Sequence, residues 1–203
     1  MRLALEQAGW TVFAQSLIDI VPLDFAMPNQ SLDWVFFSSS HGADLFLHNY
    51  KGPHNFKIGV VGTATADVVQ SHGLIPNYVG HSGNMMEVAQ ELATLVEGEN
   101  VLFAGAESGS ARVRSALQPH QISLLAVYRT QAITNATIPN TSVVYLTSPS
   151  NAKAYLKQHT IAHQTLVAIG QTTADFLKEN GVAEVLVPPT PDRKDVLNLL
   201  LAL

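Results

Sequence analysis

Cysteine is absent from all 203 residues of the chain. That excludes disulfides, thiolate zinc sites and cysteine nucleophiles together, and it fits a reducing compartment. Charge is scarce as well, at 13% of residues against 47% hydrophobic, and its balance is acidic at −5. Binding along a nucleic acid needs clustered lysine and arginine to neutralise phosphates, so no nucleic-acid partner is expected. An anionic small ligand stays open, because backbone N–H groups bind anions without net positive charge. No apolar run is long enough to span a bilayer, and no basic-then-apolar signal segment opens the sequence. The expectation is a cytoplasmic globular protein without a membrane partner, with core enough for one or two domains.

Several catalytic signatures are missing too. There is no GxSxG elbow and no HExxH pair. His159 and His163 have helical i, i+4 spacing, but no carboxylate accompanies them, and no metal is expected. Gly105-Ala-Glu-Ser-Gly109 resembles a phosphate loop yet fits neither GxGxxG nor GxxxxGK[ST]. Arg112 and Arg114, on the helix expected beyond it, could reach a carboxylate, but solvated side chains are the favoured reading.

What the sequence does have is a strand-turn-helix unit that occurs twice. The first copy is Lys57-Ile-Gly-Val-Val-Gly62-Thr-Ala-Thr65-Ala-Asp67, and the second is Leu166-Val-Ala-Ile-Gly170-Gln-Thr-Thr173-Ala-Asp175. Gly62 and Gly170 lie 108 positions apart, and Thr65/Thr173, Ala66/Ala174, Asp67/Asp175 and Gly73/Gly181 keep that offset. Each copy reads as a buried β-run ending in glycine, a threonine-rich turn, and a short amphipathic helix stopped by glycine. A sharp strand-to-helix turn leaves unpaired N–H groups and a positive helix end at the carboxyl edge of the strand. Tight packing alone also explains such glycines; the paired threonines add the possibility of ligand contact.

A second matched pair precedes these turns. Trp34–Phe37 enters Ser38-Ser39-Ser40, and Val143–Leu146 enters Thr147-Ser148-Pro149-Ser150. The following helices carry Ala43, Phe46, Leu47 and Tyr50 in one copy and Ala152, Tyr155 and Leu156 in the other, spaced for one buried face. The later helices repeat as well, with Val88 and Leu92 matching Val196 and Leu200 at the same 108 offset. An internal duplication follows from this agreement. The remaining elements read as a helix over Arg2–Ala8, an extended Trp10–Val21, a short strand at Tyr78-Val79, a helix from Asn84 to Glu97, a strand at Val101–Ala104 and an extended Ile122–Ile133.

The duplication also predicts a gap. The second copy is preceded by strand, helix and strand, the first by helix and strand only. An N-terminal strand is therefore expected to be missing, either because the start lies upstream or because one sheet lacks a central strand.

Together these residues resemble the uroporphyrinogen-III synthase family. The similarity is carried by Asp33-Trp-Val-Phe-Phe-Ser-Ser39, Val60-Val-Gly-Thr-Ala-Thr65-Ala, Ala126-Val-Tyr128-Arg-Thr, Leu146-Thr-Ser148-Pro-Ser150 and Ala168-Ile-Gly-Gln-Thr-Thr173-Ala followed by Gly181. The resemblance implies an α/β fold of two flavodoxin-like parallel-sheet domains joined by a two-stranded linker. The domains would be residues 1–22 plus 131–203, and residues 23–130. It further implies cyclisation of hydroxymethylbilane with inversion of ring D and loss of water, by a monomer without cofactor. Ser39, Gly62, Thr65, Ser148, Ser150, Gly170, Thr172 and Thr173 would hold the carboxylates of the substrate, and Tyr128 would assist departure of the ring A hydroxyl. A non-catalytic two-domain binder of an anionic metabolite would use the same donors. Two departures from the family pattern stand out: the usual opening strand into Thr-Arg is absent, and Ser38-Ser39 replaces Thr-Ser.

Overall fold

The computed structural model describes residues 1–81, 85–108 and 122–203. It is a mixed α/β chain with a mainly parallel central sheet and a second, smaller sheet. Among the described residues the elements run α1 (Arg2–Gln7), β1 (Ile18–Pro22), β2 (Trp34–Phe37), α2 (Ser40–Asn49), β3 (Lys57–Val60), α3 (Thr63–Ser71), β4 (Tyr78–Val79), α4 (Met85–Leu95), β5 (Val101–Ala106), β6 (Ile122–Ala132), β7 (Val143–Leu146), α5 (Pro149–Gln158), β8 (Thr165–Ala168), α6 (Gln171–Glu179) and α7 (Arg193–Leu201). The chain divides into two compact units, one of Met1–Asp19 with Gln131–Leu203 and one of Ile20–Thr130. Both divisions fall inside strands, within β1 and β6.

The sheet of the Ile20–Thr130 unit has the order β1-β6-β5-β2-β3-β4. Its β6-β5, β5-β2, β2-β3 and β3-β4 pairs are all parallel. The β1–β6 pair is framed by the Ile133 N–H donating to the Leu17 carbonyl and the Leu23 N–H donating to that of Val127, both at 2.9 Å. Rising numbers on one strand against falling numbers on the other make that pair antiparallel.

Every residue of β2 is buried, and the period of two sorts them. Val35 and Phe37 join a core with Ala43, Phe46, Leu47, Ala66 and Val69 of α2 and α3. Trp34 and Phe36 join another with Val88, Leu92 and Val96 in and just after α4. A continuous apolar run is what a parallel strand covered on both faces requires. In the other unit β7 and β8 are parallel and follow the same rule. Leu166 and Ala168 pack with Ala152, Tyr155, Ala174 and Leu177, while Val167 packs with Leu5, Val196 and Leu200.

The extended reading of Trp10–Val21 holds only from Ile18, where β6 supplies a partner strand. Trp10–Gln15 instead walls a cavity of about 350 Å³, closed by β7 with Leu5, Tyr155 and Leu200. The end of the Gly105–Gly109 loop, the helix expected to carry Arg112, Arg114 and Leu117, and Asn84 lie outside the described residues. Among the described residues no helix is long and apolar enough to cross a membrane.

At the amino end of the strands, Glu99 accepts from Trp34 Nε1 and pairs with Lys57 Nζ at 2.9 Å. Lys57 Nζ also lies 5.1 Å from the centroid of the Trp34 ring. The Lys57 and Trp34 hydrogen bonds hold the Glu99 carboxyl below its usual range.

Candidate active site

The sequence-predicted site residues gather at strand-to-helix corners of two kinds. At the first kind a serine closes its own helix. Ser39 caps α2 by accepting from the Gly42 N–H at 3.1 Å. Ser148 caps α5 by accepting from the Asn151 N–H at 3.1 Å, with Pro149 at the first helical position. Both residues hold an extended backbone, the geometry an N-cap needs to turn its hydroxyl back on the first turn.

The second kind is left open. Gly62 and Gly170 occupy the N-cap positions of α3 and α6 with φ of −179° and −171°, and no side chain caps either helix. Their carbonyls take the first intrahelical bonds, from Thr65 and Ala66 in one copy and from Thr173 and Ala174 in the other, at 3.0–3.1 Å. The N–H groups of Thr63 and Ala64, and of Gln171 and Thr172, precede the first residue that can bond within the helix. A Cβ built at Gly170 would meet nothing within 4 Å, and one at Gly62 only the Gly80 carbonyl at 3.8 Å. Neither the backbone angle nor packing demands glycine at these positions. Among the described residues, each glycine leaves open the space that a side chain would take at its helix start.

Thr65 and Thr173 sit at the third helical position of α3 and α6, exposed by only 4% and 2%. Thr172 is exposed and Ser150 half-buried. Within each unit the two corners are neighbours, because their strands pair in register: Phe37 with Val60, and Leu146 with Ala168. In the Ile20–Thr130 unit the Ser40 hydroxyl also donates to the Ala64 carbonyl at 3.1 Å, tying the start of α2 to that of α3.

Tyr128 reaches the serine corner from β6. Its hydroxyl lies 3.0 Å from Ser39 Oγ, its ring centroid 6.3 Å from that of His41, and only 7% of it is exposed. The Glu107 N–H donates to its carbonyl at 2.7 Å. Gly42 lets this corner close: a Cβ there would stand 3.0 Å from the Ala104 carbonyl oxygen and 3.2 Å from Ser39 Oγ.

Two contributors escaped the sequence reading. His41 flanks Tyr128, and nothing in its neighbourhood marked it out. Asn151 uses its side chain to accept from the Leu17 N–H at 3.0 Å and to donate to Ser148 Oγ at 3.1 Å. The sequence offered little signal for it, since a capping box would carry Glu or Gln at this position rather than Asn.

By fold and rim this is an α/β protein of the class that takes ligands at the carboxyl ends of parallel strands. Its similarities narrow that class. The chain belongs to the uroporphyrinogen-III synthase family, cyclising lyases that act on hydroxymethylbilane in tetrapyrrole biosynthesis; a family model described as uroporphyrinogen-III synthase HemD matches residues 1–198. Its fold is similar to that of uroporphyrinogen-III synthetase from Helicobacter pylori, with a TM-score of 0.72 at 21% identity over 92% of this chain and 90% of that one. It is also similar to a mutant uroporphyrinogen III synthase from Thermus thermophilus, with a TM-score of 0.63 at 14% identity over 99% of this chain and 92% of that one. No curated protein sequence matches the chain.

Proposed function

We propose that the chain cyclises hydroxymethylbilane to uroporphyrinogen III by holding the carboxylates of the substrate on neutral donors while Tyr128 helps the ring A hydroxyl to leave. The observation that carries this reading is the pair of glycine corners at Gly62 and Gly170, where no N-cap side chain closes the helix start and a Cβ would enter open space. A helix start of that form suits a carboxylate. Ser39, Thr65, Ser148, Ser150, Thr172 and Thr173 border the same corners, and each unit takes part of the carboxylate load at its own rim.

The chemistry asks mainly for conformation. The bilane closes unaided to the type I isomer, so directing closure through inverted ring D is a task of orientation. As the carbon–oxygen bond at ring A breaks, the phenol of Tyr128 hydrogen-bonds the departing oxygen, which leaves as water. The azafulvenium left behind is a cation, and the carboxylates of the substrate itself lie near enough in one molecule to offset its charge. Attack by the substituted carbon of ring D, rearrangement and loss of a proton complete the macrocycle.

The matched corners also support a finer reading of the fold, as two flavodoxin-like lobes derived from one duplicated unit and joined through β1 and β6. Ser39 with Ser148, Gly62 with Gly170, Thr65 with Thr173, and the left-handed Gly73 and Gly181 at φ of 77° and 89° are its support.

The deciding experiment supplies freshly made hydroxymethylbilane, oxidises the product and resolves type I from type III porphyrin. Type III in excess of the enzyme-free background is expected. A type I background alone would overturn the reading and leave a non-catalytic binder of an anionic metabolite.

A further inference from the structure

Two bonds meet on one oxygen at the serine corner. Ser39 Oγ accepts from the Gly42 N–H at 3.1 Å and lies 3.0 Å from the Tyr128 hydroxyl. A serine hydroxyl that accepts from an amide keeps one proton to give. Given to Tyr128 Oη, that proton leaves the phenolic O–H without a claim on it inside the pair, free to turn toward a third group. Donor chains of this kind polarise each link, so a phenol that accepts one hydrogen bond donates the next more strongly. The chain here would run from the first turn of α2 through Ser39 and Tyr128 to whatever accepts from the phenol.

The surroundings fix this geometry. A Cβ at Gly42 would stand 3.0 Å from the Ala104 carbonyl oxygen and 3.2 Å from Gly105 Cα, so the first turn of α2, which Ser39 caps, packs closely on β5. On the other partner, the pairing of β5 with β6 steps from Gly105–Ala126 to Ala106–Tyr128. That extra residue is a bulge, a device that re-aims the side chain beside it.

We propose that Ser39 is a positioning residue for Tyr128: it donates to the phenolic oxygen and so directs the phenolic proton toward the leaving hydroxyl. This rests on the reading of Tyr128 given above. It also gives Ser39 a different duty from the carboxylate contact that the sequence suggests.

The test is a double-mutant cycle on the full chain, with Ser39→Ala, Tyr128→Phe and the pair combined. Ser39→Ala is expected to lower kcat about five- to tenfold, the kinetic equivalent of one hydrogen bond, with KM unchanged. Ser39→Thr should restore most of the loss. In the Tyr128→Phe background Ser39→Ala should cost nothing further. Ser39→Gly guards against a folding artefact, because glycine costs a capped helix only a few tenths of a kcal/mol relative to serine; it should show the same fall in kcat. Equal losses from Ser39→Ala with and without the Tyr128 hydroxyl would overturn the proposal, as would a raised KM at unchanged kcat. Unchanged turnover in Tyr128→Phe alone would instead sink the reading of Tyr128, and this inference with it.

Discussion

Val127 and Tyr128 are consecutive on β6, yet both are buried in the same core, on the side of the sheet covered by α2 and α3. In a regular strand, neighbours point to opposite faces. The register explains the exception: β5 pairs Gly105 with Ala126 and then Ala106 with Tyr128, skipping Val127. One inserted residue turns a side chain that would face α4 toward Ser39.

The first prediction follows from that position. Tyr128→Phe keeps the ring that fills the core and removes the hydroxyl alone. The fold should survive, with stability lowered by about 1 kcal/mol for the hydrogen bond to Ser39. Turnover of hydroxymethylbilane should fall by a factor on the order of 10² if the phenol assists the leaving group. Steady-state kinetics beside a urea melt separate the two effects, and wild-type turnover would remove Tyr128 from the mechanism.

Gly62 and Gly170 should respond alike to substitution, and Gly80 in the opposite way. Gly170→Ala and Gly62→Ala place a methyl group in open space on extended backbone, so stability should change by less than about 1 kcal/mol. The methyl nevertheless intrudes where a carboxylate would approach, and KM should rise several-fold. Gly80→Ala is the contrast. Its Cβ would lie 2.5 Å from the Val61 carbonyl oxygen and 2.9 Å from Val88 Cγ2, a backbone collision that should cost about 1–3 kcal/mol. Urea unfolding of the three variants checks the order, and an unstable Gly170→Ala would contradict it.

Much of this was legible in the sequence because the periods were clear. Ala43, Phe46 and Leu47 at helical spacing all proved buried, and the unbroken run Trp34–Phe37 is a strand covered on both faces. The serine and glycine corners were visible as residue types. Their difference in state was not, since it depends on whether a hydroxyl folds back onto its own helix. The bulge at Val127 was invisible for a similar reason: Ala126, Val127 and Tyr128 carry no alternation that one inserted residue would break. Trp10–Gln15 misled because its composition suits a strand, yet among the described residues no strand pairs with it.

Acid should loosen the amino end of the sheet through Glu99. Its carboxyl is held below the ordinary glutamate range by the Lys57 and Trp34 hydrogen bonds. A depressed folded-state value stabilises the fold above the unfolded-state value, about 4.3, and that contribution drains away as pH falls through the folded-state value. Glu99→Gln removes the charge and with it the linkage. The gap in Tm between wild type and Glu99→Gln should be widest near neutral pH and close on acidification. A gap that stays constant from neutral to strongly acidic pH would show that Glu99 does not carry the effect.

The last prediction concerns the edge of β7. Thr165 N–H donates to the Ser142 carbonyl and Ile169 N–H to that of Leu146, which fixes the parallel ladder. By its alternation, Val144 and Leu146 turn both backbone groups toward β8, and Val143 and Tyr145 turn theirs the other way. Among the described residues no strand pairs on that side, and the cavity of about 350 Å³ runs along β7 there. Side-chain burial does not report this difference, since Val143, Val144 and Tyr145 are all half-buried. Amide exchange read by NMR should find Val143 and Tyr145 faster than Val144 and Leu146 by a factor on the order of 10². Equal protection would mean that a further segment pairs with this edge in solution. A cavity-facing substitution such as Val12→Phe should then leave exchange at Val143 unchanged, whereas an open edge should become slower to exchange as the added ring fills the space beside it.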